Sequence, residues 1–265
     1  MNNGENQPAK SAEQPKLRHE FVGMMFALAI GEVGLQTASL VQAGRFYHFL
    51  PAYSHLILGT IVIATSWVGW SLSLAPGGRE DVKGIFQWEF IVLLLDVALV
   101  ITYFILVRTI DFSKTEHRID PASKVALLVF SIFCLYFVWD LISKVAVYLT
   151  KREGDWWRKY GSRMIPTVFC LITAWFVWQC VKGSDVPHEL STDFALLCLI
   201  LLFRSLKDWV SAVFPSGSAR KSSLAKAVAW SLVLFCGIIL GTLATQGSWH
   251  LPLGNDVLTQ IKAPD

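Results

Sequence analysis

The sequence predicts an all-α fold: a polytopic transmembrane helix bundle of about seven spans with no soluble domain. Three observations carry this. Hydrophobic residues make up 54% of the chain and charged residues only 16%, and mean hydropathy is +0.48. The apolar residues fall in blocks of about 20, enough at about 1.5 Å per residue to cross a hydrocarbon core of roughly 30 Å. Lys and Arg divide unevenly between alternate loops, the asymmetry that orients membrane proteins. The net charge of +3 comes with no basic cluster of the kind that grips phosphates, so nucleic acid is not an expected partner.

Residues 1–20 are polar and predict a disordered cytoplasmic tail. The apolar segment that follows is too long for a signal peptide and lacks a small-residue cleavage site, so it is expected to stay as an anchor. Spans are expected at 21–44, 52–75, 88–108, 123–150, 162–182, 190–214 and 225–245. The loops between them are short, which predicts consecutive helices packed as neighbours. Pro51 and Pro76 bracket the second span, and Gly77–Gly78 and Pro215 mark turns. The sixth segment is the ambiguous one, because Arg204, Lys207 and Asp208 shorten its apolar run. Six spans, with both ends inside, remain the alternative.

The loops holding Arg79, Lys83, Lys151, Arg152, Arg158, Lys159, Arg163, Arg220, Lys221 and Lys226 outweigh the opposite ones. They are expected on the cytoplasmic face of a cell (inner or plasma) membrane, with the N-terminus inside and a short tail, 246–265, outside. The segment 151–161 is basic and carries Trp156 and Trp157, so it is expected along the cytoplasmic interface, with Trp88, Trp209 and Trp230 in the same belt. An offset of 68 residues aligns Asp140 with Asp208 and Ser143 with Ser211, a thin internal similarity.

The chemistry lies in the polar residues inside the spans. Glu32 sits near the middle of the first, with Gln36 and Ser39 at i+4 and i+7 on one face. A carboxyl at that depth costs a few kcal/mol unless it faces protein or water, so the stripe is expected to turn inward. Asp96 shares a stripe with Glu89 and Tyr103. Arg204 is the one deep cation, and pairing with Asp96 is the expected solution to burying both. Asp140, Lys144 and Asp208 are expected near the interface, with Asp140–Lys144 and Arg204–Asp208 spaced i, i+4. The cluster reads either as a device fixing helix register or as a polar path for an ion or proton.

His48, His55, His117, His188 and His250 all fall at or beyond the outer ends of the spans, which argues against a haem within the bundle. No HxH or HxxxH spacing supports a metal site, and no cofactor is expected. All five cysteines lie in apolar blocks without CxxC spacing and read as reduced, buried thiols. There is no HExxH, GxSxG or P-loop motif, so no catalytic residue is assigned.

His19–Ile30, HEFVGMMFALAI, resembles the first-helix signature RxxxFSDGVFAIAIT of a bacterial and lysosomal potassium-channel family. Phe21 matches the leading Phe, and Phe26–Ile30 match FAIAI. The stretch SHLILGTIVIATSWVGW is similar to that family's second helix. Val22 and Gly23 stand where the family has Ser and Asp, and the family unit has six spans. The resemblance implies a pore lined by apolar first-helix residues at Ile30 and its neighbours.

The expected function is thus an ion-conducting channel or small ion or solute transporter, with a polar path lined by first-helix residues. The alternatives are a non-conducting sensor or scaffold docking a cytoplasmic protein through 151–163, or a membrane enzyme acting on a lipid. The lipid bilayer is the expected environment. Gly31, Gly34, Gly237 and Gly241 permit close helix approach and suggest a homo-oligomer.

Overall fold

The computed structural model describes residues 17–43, 50–73, 88–111, 118–151, 164–182, 189–213 and 221–245. Seven helices form: α1 (Leu17–Ala43), α2 (Leu50–Ser73), α3 (Trp88–Val107), α4 (Ala122–Lys151), α5 (Ile165–Lys182), α6 (Glu189–Val213) and α7 (Lys221–Thr245). All seven expected segments are helices, with boundaries within about one turn of expectation. One small element was not foreseen. Ile110–Asp111 (β1) and Arg118–Ile119 (β2) pair antiparallel, Ile110 opposite Ile119, in the link between α3 and α4.

Five helices, α1 to α5, are long and apolar enough to cross a membrane. α6 falls short because of its charges, and the apolar part of α7 is confined to Trp230–Thr245. The surface agrees with a lipid solvent. Leu28, Leu35, Ile57, Ile172, Leu232 and Leu240 are exposed. Meanwhile Glu32, Gln36, His55, Asp96, Asp140, Lys144 and Asp193 are buried. A water-soluble monomer rarely exposes so much contiguous apolar side chain. The chain is a multi-pass membrane protein.

Each helix in turn packs on its predecessor, as the short loops require, and four further pairings close the bundle: α1 on α3, α2 on α6, α4 on α6, and α5 on α7. α2, α3, α4 and α6 therefore surround the centre. α1 lies against α2 and α3 through Val22, Phe26, Ala29, Val33, Gln36 and Leu40, a buried row at i+3/i+4 spacing. Phe26 meets Trp67 edge-on at 5.3 Å between ring centres.

α7 lies on α6 through its two glycines. A Cβ at Gly237 would stand 2.7 Å from Cys198 Sγ, and one at Gly241 would stand 2.8 Å from Ala195 Cβ. The GxxxG pair thus serves contact within one chain, not between chains. Gly31 and Gly34 meet nothing within 4 Å. Cys170 and Cys198 are buried as expected, Cys134 and Cys180 are half-buried, Cys236 is exposed, and all five are free thiols.

Candidate functional site: a cavity among four helices

The intramembrane polar residues do not form one path. Glu32 is taken by a residue from the far end of α3. Arg108 Nε lies 2.7 Å from Glu32 Oε1 and Arg108 Nη2 is 3.4 Å from Oε2, a two-pronged contact from a guanidinium that is itself largely exposed. Gln36 Nε2 donates to Glu32 Oε1 at 3.0 Å. Ser39 does not continue the stripe, because its hydroxyl donates to the Leu35 carbonyl of its own helix at 3.0 Å. Thus Glu32 and Gln36 turn inward as expected, and Ser39 does not.

The expected ion pair between Arg204 and Asp96 does not form. Asp96 Oδ1 accepts from Trp139 Nε1 at 2.8 Å, while Arg204 Nη2 lies 3.6 Å from Asp208 Oδ1. The i, i+4 spacing on α6 places Asp208 beside Arg204 on the same helix face. The two residues nevertheless line the same space. Asp140 is buried within the protein and is held by two partners on other helices: Thr167 Oγ1 donates at 2.5 Å and Lys207 Nζ at 2.8 Å. Lys144 is buried one turn further along α4. Asp208 is 62% exposed, so the two aspartates aligned by the 68-residue offset occupy opposite environments. Trp156 and Trp157 lie outside the described residues.

What the sequence did not reveal is the space these helices enclose. A cavity of about 160 Å³ lies among α2, α3, α4 and α6, with Phe26 the sole contribution of α1. One end of its lining is apolar: Val62 on α2, Val129 on α4 and Ile200 on α6, all buried. Ser66, Tyr103 and Tyr136 form a ring of mutually bonded hydroxyls partway in. Tyr103 Oη donates to Ser66 Oγ at 2.9 Å and lies 3.0 Å from Tyr136 Oη, and Ser66 bonds Tyr136 as well. In such a ring each oxygen donates once and accepts once, which leaves each with one lone pair for a further donor.

The walls are aromatic. Phe203 stacks on Tyr136 with centres 5.3 Å apart and planes 12° apart, and Phe133 meets Phe203 edge-on at 5.3 Å. Trp70 and Trp139 complete them. At the other end stand Asp96, Asp140, Arg204 and Lys207. Arg204 and Lys207 side chains are 26% and 28% exposed, so this is the mouth. It opens where α2 and α6 end and α3 begins.

The opposite end of the α2–α6 pair is closed by a second polar cluster. His55 Nδ1 lies 2.5 Å from Asp193 Oδ2. Ser54 donates to the same oxygen and also to the Pro51 carbonyl, at 2.8 Å. His55 and Asp193 are each 3% exposed. From His55 to Val62, and from Asp193 to Ile200, is two turns, about 10 Å of packed apolar helix between this contact and the cavity. The sequence placed His55 at an outer helix end but gave no sign of a partner, because Asp193 stood in the segment whose span was in doubt. Among the described residues no group of three His, Cys, Asp or Glu side chains converges as a metal site.

Comparison of the chain with protein-family models, with curated proteins and with solved structures finds no match.

Proposed function

We propose that the protein is a carrier for a small organic solute, loaded into the α2/α3/α4/α6 cavity from one end of the bundle. The observation that carries the reading is the shape of the polar interior. The cavity has a buried apolar lining at one end, a hydroxyl ring inside and charged side chains at the other end, the few placed polar groups in an apolar pocket that suit a solute site. The arrangement of α2 and α6 fits alternating access. They part around the cavity at one end and are tied by Ser54, His55 and Asp193 at the other, so rocking about the packed middle would exchange the open end. The Lys/Arg asymmetry puts the mouth on the cytoplasmic side of the membrane.

Purified protein in liposomes tests this. The reading predicts saturable uptake of an organic solute with no steady ion conductance. An ion current that persists without any organic solute would favour the channel instead. That second reading has one observation behind it. Ile30, which the potassium-channel resemblance assigns to a pore, is 45% exposed on the outside of the bundle, beside Gly31 and Gly34, which meet open space. A pore there would need several copies of the chain around a common axis, so the channel and homo-oligomer readings stand or fall together.

A further inference from the structure

Resting on the solute-carrier reading, we propose that the cavity takes a small aromatic carboxylate, with the carboxylate on Arg204 and the ring reaching toward the Ser66–Tyr103–Tyr136 hydroxyls. The charges at the mouth are not equivalent. Asp96 accepts from Trp139, and Asp140 from Thr167 and Lys207. Lys207 is fixed by that bond and lies 5.2 Å over the Phe203 ring. Arg204 is held loosely by comparison. Its one ion pair among the described residues, to the exposed Asp208 at 3.6 Å, is beyond hydrogen-bond length. A guanidinium carries five donors in a planar fork that matches a carboxylate in two places. The built-in carboxylates are thus engaged, and the donors of Arg204 are the mouth's recognition chemistry left over.

The position of Arg204 fixes the length of the solute. Its Nη1 lies 3.3 Å from where a Cβ of Gly69 would stand. Gly69 therefore leaves the room in which the guanidinium approaches α2. Ser66 is three residues deeper, about 4.5 Å along the helix, roughly the depth of one ring. The volume agrees: about 160 Å³ is close to the roughly 150 Å³ apolar cavity that accepts benzene. Flat aromatic walls favour a ring over a branched aliphatic body of the same volume.

Binding calorimetry on the full chain in lipid nanodiscs tests the class directly, with benzoate and 4-hydroxybenzoate against benzyl alcohol, benzylamine and acetate. Benzoate should bind at least tenfold tighter than the other three, and 4-hydroxybenzoate tighter still. Arg204→Gln should remove the preference for the acid, and Arg204→Lys should retain part of it. Ser66→Ala should weaken 4-hydroxybenzoate at least tenfold more than benzoate, a difference that a merely structural role would not produce. Gly69→Ala, which crowds the guanidinium, should weaken both acids several-fold more than benzyl alcohol. Should Arg204→Gln fail to fold, Arg204→Lys and Gly69→Ala carry the decision. Equal binding of alcohol, amine and acid overturns the ligand class and leaves the cavity as a solute site. Binding of none of the five overturns the class as well, and saturable uptake of another solute then decides the carrier reading separately.

Discussion

Glu32 and Arg108 show how a single charge is accommodated in this bundle. The carboxyl sits on a helix that lipid surrounds on one side, and its partner is a long side chain reaching in from the end of α3. Arg108 is 60% exposed at its side chain, so the pair is weaker than a fully buried one. Its loss should still leave a buried carboxylate with only Gln36. Arg108→Ala is expected to destabilise the protein by roughly 1–2 kcal/mol. Adding Glu32→Gln should recover more than half of that in a double-mutant cycle, and simple additivity would show that the contact contributes nothing.

The His55–Asp193 contact is the stronger case, since both partners are buried. His55→Ala should cost about 2–4 kcal/mol by stranding Asp193. Asp193→Asn, which keeps an acceptor oxygen for Ser54, should cost less. A melting temperature unchanged by His55→Ala would remove the seal from the account.

At the scale of elements, the sequence revealed which segments are helices, because blocks of about 20 apolar residues admit one answer in a bilayer. It also revealed that Glu32 and Gln36 face inward, because a carboxyl at that depth is costly unless it faces protein or water; the structure sets them beside the buried row of Val22, Phe26, Ala29 and Val33. It did not reveal partners. Arg204 and Asp96 have similar depth and opposite charge, yet depth counted along two helices says nothing about rotation or distance across the bundle. Ser39 failed for a local reason: a serine in an apolar helix can satisfy its hydroxyl on the carbonyl one turn back. The cavity was illegible because it arises from α2, α3, α4 and α6 together, and Tyr136, Trp139 and Phe203 read in sequence as ordinary apolar positions.

The α6–α7 contact carries its own prediction. At Gly241 the nearest groups are the Ala195 side chain at 2.8 Å and the Ser191 carbonyl at 3.1 Å, and backbone cannot move aside cheaply. Gly241→Ala should destabilise the protein by about 1–3 kcal/mol through overpacking. Gly31→Ala and Gly34→Ala, which meet open space, should be neutral in the isolated chain. A loss of oligomer size on either substitution would locate a contact between copies on α1.

For the whole molecule, the account requires a fixed orientation and a cavity open at one end. Orientation can be read with a cysteine placed at Ser248, beyond α7. An impermeant thiol reagent should label it in intact cells; labelling only after permeabilisation would reverse the assignment of that end or reduce the spans to six. The central claim is the one-ended cavity, and thiol accessibility inside it is the most direct measurement. In a background with the five native cysteines replaced, Thr65→Cys on the cavity wall should react faster with a small impermeant reagent supplied from the cytoplasmic side than from the other side, from which only the exchanged state exposes it. Leu58→Cys, between the cavity and the His55–Asp193 contact, should react from neither. Breaking that contact with His55→Ala should raise the reactivity of Leu58→Cys from the outer side. Equal labelling of Thr65→Cys and Leu58→Cys from both sides of the membrane with His55 in place would mean a continuous pore, and would contradict the account.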